Sequence, residues 1–255
     1  FMPASQRALA DAIFNTGKPV IVVLVTGRPL AIPNLAERAD AILNTWMLGV
    51  EAGPALADIV YGDVSPSGRL PVSFPRATGA VPYTYSEFPS GRPADPDLGR
   101  DSNRYHDQPI TPQFPFGHGL SYSAFSYGEL SATSDESGYH LSVDVTNTGE
   151  YEADEVVQLY MRDPVSFVAR PQLELRGYRR ISLSPGERLT VHFHLTAAQS
   201  AVFERPGAWR IEAGELQFHV GASSADLRAS ASVHVDASGT SDVPASAIET
   251  RTEVE

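Results

Sequence analysis

The sequence predicts two fold classes in one chain, part of an α/β domain followed by an all-β sandwich. In residues 1–75, helical patterns alternate with β-branched runs, which is typical of βαβ units. In residues 123–234, about seven short strand patterns are separated by turn signals roughly every 8–12 residues, which is typical of an immunoglobulin-like sandwich. Residues 76–122 form a predicted long linker, and residues 235–255 form a predicted C-terminal tail.

The first region supplies two strand candidates and the helices around them. The run Val20 to Val25 is apolar and does not alternate, which predicts a strand buried on both faces of a parallel sheet. Residues 41–46 give the second strand candidate, and helices are predicted over residues 5–14, 34–38 and 51–61. Two strands are too few for an independent sheet. We therefore expect residues 1–75 to be the back half of an α/β domain, entered mid-domain, that docks onto polypeptide outside this chain.

The linker is rich in Pro, Gly, Ser, Asp and aromatic residues and has little periodicity. A loop of this length in a compact protein is usually functional or pinned to a surface. The aromatic end of the linker, residues 114–122, predicts that it packs down.

Alternating residues predict the strands of the second region. Leu141, Val143 and Val145 alternate with polar residues, and residues 189–195 alternate in the same way. Further strands are predicted at residues 156–160, 181–183, 209–211 and 216–221. Phe193, Trp209 and Phe218 fall at positions that this alternation assigns to the core.

Composition excludes several classes of partner and site. The 255 residues carry a formal net charge of −12, which argues against nucleic acid and anionic membrane surfaces as partners. The chain has no cysteine, so disulfides and thiolate metal sites are excluded. No apolar run approaches the ~18 residues of a membrane span.

Histidines give a weak metal signal. His192 and His194 lie two apart on one face of a predicted strand. No Cys, His or carboxylate near them in sequence completes a ligand set, so we expect two solvent-facing strand residues and no metal. For His106 and His118 in the linker, packing or hydrogen bonding is the favoured role.

Ordered motifs carry the argument further. They are Met2 to Gln6 (MPASQ), residues 19–29 (PVIVVLVTGRP), 46–62 (WMLGVEAGPALADIVYG), 65–75 (SPSGRLPVSFP), 90–93 (SGRP), 104–107 (RYHD) and 114–122 (FPFGHGLSY), then 145–149 (VTNTG), 155–160 (EVVQLY), 170–178, 185–187 (PGE) and 221–224 (GASS). In this order they resemble the C-terminal portion of glycoside hydrolase family 3, in its bacterial periplasmic-type β-glucosidase subgroup. The resemblance implies the C-terminal half of an α/β sandwich domain followed by a fibronectin type III-like β-sandwich.

The resemblance also implies a reaction whose catalytic residues are not in this chain. The family hydrolyses terminal β-linked glucosyl residues with retention, using a nucleophilic Asp and an acid/base Glu and no metal or cofactor. Those two positions precede the segment that resembles Met2 to Gln6, so no catalytic residue is assigned here. The linker carboxylates Glu87, Asp95, Asp97, Asp101 and Asp107 have no context that singles out a pair. We expect the chain alone to be inactive.

Substrate contacts are expected only where the linker reaches the active-site rim. Arg92, Arg104 and Tyr105 are the candidates, because Arg and Tyr can hydrogen-bond to sugars and stack on them. The alternative, which we favour, is that they pin the linker to the scaffold.

Partners and location follow from the same resemblance. The expected partners are a β-glucoside or oligosaccharide substrate and an N-terminal barrel domain or chain of the same enzyme, with no nucleic acid and no membrane. Homodimer formation is left open, and the expected location is periplasmic or secreted. A β-xyloside is the alternative substrate. A non-catalytic carbohydrate-binding or structural sandwich module is the alternative function, and the binding module predicts an exposed row of aromatics.

Overall fold

The structure, a computed structural model, describes residues 2–92, 105, 107–204, 208–236, 239–241 and 250–255. The chain divides into two compact units. The first unit contains Phe1–Val64, Leu70–Tyr85 and Arg92–Phe116. The second unit contains Ser65–Arg69, Ser86–Gly91 and Gly117–Glu255. The predicted division at residues 75 and 122 is a different partition of the same chain and stays a prediction.

The first unit has the predicted helices and strands. They are α1 (Ala4–Phe14), β1 (Ile21–Leu24), α2 (Pro33–Arg38), β2 (Ala41–Asn44) and α3 (Ala52–Tyr61). The two strands pair in parallel, with Ile21 opposite Ala41. Helix α3 is followed by Gly62, whose φ of 86° is the left-handed conformation that glycine adopts without steric cost.

One face of β1 is buried and the other is exposed. Leu24 packs with Ile32, Leu35 and Phe74 in a small apolar cluster. Ile21 and Val23 alternate with these inward residues and are 49% and 40% exposed. Within this chain the second face of β1 is therefore exposed, and its predicted burial depends on polypeptide outside the chain and stays a prediction.

The second unit contains twelve described strands, whereas the sequence patterns predicted about seven. They are β3 (Phe125–Tyr127), β4 (Ser131–Asp135), β5 (Gly138–Asn147), β6 (Ala153–Arg162), β7 (Glu174–Leu183), β8 (Arg188–Leu195), β9 (Val202–Glu204), β10 (Ala208–Ile211), β11 (Gly214–Ser223), β12 (Asp226–Val235), β13 (Gly239–Ser241) and β14 (Arg251–Val254).

Two antiparallel sheets enclose the core of this unit. One has the order β12-β11-β6-β7, and the other has the order β14-β8-β5-β3 with β4 also paired to β5. Their inward residues form one apolar cluster that includes Val145, Leu159, Phe193 and Phe218, each 0% exposed. The alternation predicted for β5 and β8 is confirmed, because Leu141, Val143 and Val145 are buried as predicted. A third sheet has three strands in the order β13-β10-β9.

Two sequence interpretations of this unit need correction. Trp209, assigned to the core, is 41% exposed and meets Phe203 edge-on, because the short β10 belongs to the third sheet and not to the sandwich core. Residues 251–254, within the predicted tail, form β14 and pair with β8. The strand has only four residues, so its alternation of exposed and half-buried positions is too short to predict a strand from the sequence.

Candidate functional site

Of the predicted rim residues, the structure describes Arg92 and Tyr105. Arg92 is exposed and Tyr105 is 44% exposed. Arg104 lies outside the described residues. No hydrogen bond or ring contact joins Arg92 to Tyr105 among the residues that the structure describes. Their contact with substrate, or with the scaffold, stays a prediction.

The linker also shows no carboxylate pair in its described part. Glu87 and Asp107 both have exposed side chains. The backbone oxygen of Glu87 accepts a hydrogen bond of 2.8 Å from the amide of Gln172, which fixes that residue's backbone and leaves the carboxylate in solvent. Asp95, Asp97 and Asp101 lie outside the described residues.

Within the first unit, the linker is held by backbone and aromatic contacts. Phe74 and Phe114 form an antiparallel bridge and their rings meet edge-on at 6.2 Å. The ring of Phe116 stacks on Tyr85 at 4.2 Å, and its amide donates to the Ser73 hydroxyl. The prediction that the aromatic end packs down is confirmed for these residues.

A buried ion pair anchors the segment Ser65–Arg69 to the sandwich of the second unit. Arg69 donates to Glu155, whose other carboxylate oxygen accepts a 2.7 Å hydrogen bond from the Tyr127 hydroxyl. The side chains of Arg69 and Glu155 are 8% and 2% exposed. Burial, and then the neighbouring Glu155 carboxylate, raise the pKa of Tyr127 well above its usual value. Each carboxylate oxygen of Glu155 therefore accepts a hydrogen bond from the scaffold, one from Arg69 and one from Tyr127.

Glycine allows the linker's end to approach this segment closely. A Cβ on Gly119 would lie 2.2 Å from the Gly68 carbonyl oxygen, so no larger residue fits there without a backbone shift. The Ser65 hydroxyl is 3.0 Å from that of Ser121. Burial lowers the pKa of the neighbouring His118, and the Arg69 guanidinium lowers it further. The packing role expected for His118 agrees with this environment.

The sequence patterns did not identify the residue that lies beside His194. His140, 54 residues earlier, lies directly opposite His194 in the β5–β8 pairing, and the two Nδ1 atoms are 2.9 Å apart. Asp135 approaches the Nε2 of His140 at 3.1 Å. Only the strand register brings these residues together, so proximity in sequence could not reveal them. In the described residues, no group of three or more His, Cys, Asp or Glu is arranged to hold a metal by protein ligands alone.

The described helices include none that is both long and apolar enough to cross a membrane.

Comparison with family models covers most of the chain. Residues 1–122 match the glycosyl hydrolase family 3 C-terminal domain. Residues 155–224 match the fibronectin type III-like domain. The two matches occur in the order that the sequence motifs predicted.

Similar proteins are glycoside hydrolases three times as long. The chain is 40% identical over 232 residues to the "Periplasmic beta-glucosidase" of Salmonella typhimurium, covering 89% of this chain and 30% of that protein. It is 46% identical over 223 residues to a "Beta-xylosidase" of Formosa agariphila, covering 86% of this chain and 30% of that protein.

A solved structure agrees with these matches. The β-glucosidase of Listeria innocua in complex with glucose superposes with a TM-score of 0.88 at 35% identity, covering 92% of this chain and 33% of that one. The chain thus spans about a third of the length of its relatives. It belongs to glycosyl hydrolase family 3, of which it carries the C-terminal domain followed by the fibronectin type III-like domain.

Proposed function

We propose that this chain is the C-terminal part of a retaining β-glucosidase that removes terminal non-reducing β-D-glucosyl residues. The catalytic Asp and Glu lie on polypeptide outside the chain, either upstream in the same protein or on a separate chain. The relatives' names and the chain's share of their length support this proposal. The first relative's name also supports a periplasmic or secreted location.

The exposed face of β1 is the observation that carries the proposal. Ile21, Val23 and Val25 are 49%, 40% and 67% exposed along one strand and its continuation. Strands of a parallel sheet are normally covered on both faces, and contiguous exposed apolar residues mark an interface. The missing two thirds of the relatives' length is the occupant that we assign to this face. In that position, the first unit would complete the sheet that supports the acid/base loop.

An activity assay tests where the catalytic residues lie. The purified 255-residue chain should not hydrolyse an aryl β-glucoside, whereas the protein that includes the relatives' N-terminal portion should. Turnover by the chain alone would place a catalytic pair within residues 1–255 and overturn the proposal.

The docking face has its own test. The test uses this chain and the relatives' N-terminal portion produced as two polypeptides. Val23→Glu should weaken their association and reduce turnover, because it buries a charge at the interface. Arg188→Glu, on an exposed residue of the second unit, serves as the control. Unchanged association in Val23→Glu would show that this face is not the interface.

β-Xylosides are the second substrate candidate. The most identical of the relatives named above is a β-xylosidase, at 46%. The ratio of kcat/KM for aryl β-glucoside and aryl β-xyloside in the complete enzyme decides between the sugars, since glucose carries a hydroxymethyl group that xylose lacks.

One observation bears on the alternative function of a non-catalytic carbohydrate-binding module. Phe203 and Trp209 are exposed neighbours with ring centroids 5.5 Å apart. Their rings are tilted by 66° and do not form the flat row that this alternative predicts. Retention of the isolated chain on a β-glucan matrix, lost in Trp209→Ala, would favour that function.

A further inference from the structure

We propose that His140 and His194 form a surface site for a divalent transition-metal ion, with copper(II) favoured. The site lies on the outward side of β5 and β8 in the second unit. It does not depend on the glycosidase proposal.

The separation of the two nitrogen atoms fits shared coordination. Their Nδ1 atoms are 2.9 Å apart across the strand pair. Two imidazole nitrogens bound at right angles to one metal, each at about 2.0–2.1 Å, are about 2.9 Å apart. A tetrahedral angle would require about 3.3 Å at the same bond lengths. The observed spacing is thus close to that of adjacent positions in the tetragonal geometry of copper(II) or nickel(II), and copper(II) binds nitrogen ligands more tightly than zinc(II) does.

The contacts at the Nε2 atom of His140 determine which of its ring nitrogens carries the proton. Nε2 lies 3.0 Å from the Ser137 hydroxyl and 3.1 Å from an Asp135 carboxylate oxygen. The Ser137 hydroxyl donates to the other oxygen of Asp135, so Ser137 accepts from His140. Because a carboxylate can only accept, the proton of neutral His140 resides on Nε2 and its Nδ1 presents a lone pair. A carboxylate behind a metal-binding histidine is the usual arrangement that orients the ring and increases its basicity.

The surroundings permit access and add charge of both signs. The His140 side chain is 34% exposed and Asp135 is 59% exposed, so an ion can reach the pair without a rearrangement of the core. Arg251 of β14 lies opposite His194 in the register and is also exposed. With two protein nitrogens, the remaining coordination positions are left to water or to an external ligand.

The alternative is a simple hydrogen bond in which His194 donates to His140, since 2.9 Å also fits an N–H···N contact. Copper(II) titration of the chain, produced without a polyhistidine tag, distinguishes the two. We expect one copper ion per chain and an electron paramagnetic resonance spectrum showing two equivalent imidazole nitrogens. Nickel(II) and zinc(II) should bind more weakly than copper(II).

Matched variants locate the site. His140→Gln and His194→Gln should each weaken copper affinity by about tenfold or more. Asp135→Asn should weaken it less, because it alters only the orienting hydrogen bond. His192→Gln, two residues from His194 on the same strand, is the control and should bind as the parent does.

Thermal midpoints within about 2 °C of the parent would show that each variant is folded. Equal affinities for the parent and the His140→Gln/His194→Gln double variant would overturn the site. An equal loss in His192→Gln would also overturn it, since that result places copper elsewhere.

Discussion

Arg69 and Glu155 form an ion pair that is almost wholly buried although the two residues are 86 positions apart in the sequence. Arg69 also donates to the carbonyl oxygens of Ser67 and Gly68. Removing one partner of such a pair leaves an uncompensated buried charge. That loss destabilises the fold far more than replacing both partners by apolar residues of similar volume. The pair therefore makes the segment Ser65–Arg69 part of the sandwich's stability.

We expect Arg69→Met to lower the free energy of unfolding by about 3–5 kcal/mol, measured by urea denaturation. Arg188→Ala, which breaks the exposed pair with Asp144, should cost less than about 1 kcal/mol. The double variant Arg69→Met/Glu155→Leu should recover part of the loss, because no buried charge is left unpaired. A double variant no more stable than Arg69→Met would show that the unpaired charge is not the source of the loss and would assign it to packing or to the Tyr127 hydroxyl, which loses its acceptor.

Gly117→Ala should destabilise the second unit by about 2–5 kcal/mol. Gly117 has φ +79°, and a Cβ there would lie 2.0 Å from Oε1 of Gln158. That oxygen accepts from the hydroxyl of the fully buried Tyr160, so Gln158 cannot move freely. Gly186→Ala, at φ +78° with open space around it, is the matched control and should cost about 1–2 kcal/mol. Equal losses would remove the steric part of this account.

Stability should fall as the pH is lowered from about 7.5 to 5. Burial lowers the pKa of both His118 and His219 in the folded chain, below the value of ~6.5 for an unfolded histidine. In that window the unfolded chain binds more protons, so protonation favours unfolding. Burial raises the pKa of Asp163, and this carboxyl acts in the opposite sense.

The urea midpoint at several pH values measures this slope. His118→Gln and His219→Gln should each flatten it, whereas His234→Gln, whose side chain is 71% exposed, should leave it unchanged. A slope that persists in the His118→Gln/His219→Gln variant would assign the effect to other groups.

Removing residues 250–255 should lower the thermal midpoint and promote self-association. Thr190 and Glu255 exchange two backbone hydrogen bonds, and Thr250 accepts a bond of 2.9 Å from Gln199. Without β14, β8 becomes an open edge strand, which is a template for pairing with another copy. Light scattering at increasing concentration measures the association. A truncated chain that associates no more than the parent and is equally stable would show that β14 is not needed to protect this edge.

The sequence predicted the elements that have strong local signals. The unalternating run at β1 and the left-handed Gly62 after α3 located both elements to within a residue or two. Strand β12 carried no such signal, because Ala229 and Ala231 on its inner side provide little contrast with the serines between them. Small residues suffice there, since β11 and the core supply the apolar area.

The pairing of strands that are distant in the sequence could not be predicted from the sequence. The separation of His140 and His194, the pairing of Arg69 with Glu155 and the exposure of Trp209 all depend on which strands lie side by side. Periodicity shows which face a residue occupies and not which residue lies opposite. The candidate rim residues Arg92, Arg104 and Tyr105 were named from resemblance, and their role stays a prediction.

The Arg69 contact also has a consequence for synthesis on the ribosome. At about 5–20 residues per second, Arg69 is made several seconds before Glu155 exists to receive it. During that interval the guanidinium must remain hydrated and the segment around it unfixed. A sandwich excised from residue 123 onward would never receive this cation, so the boundary between the two family domains is a poor place to divide the gene.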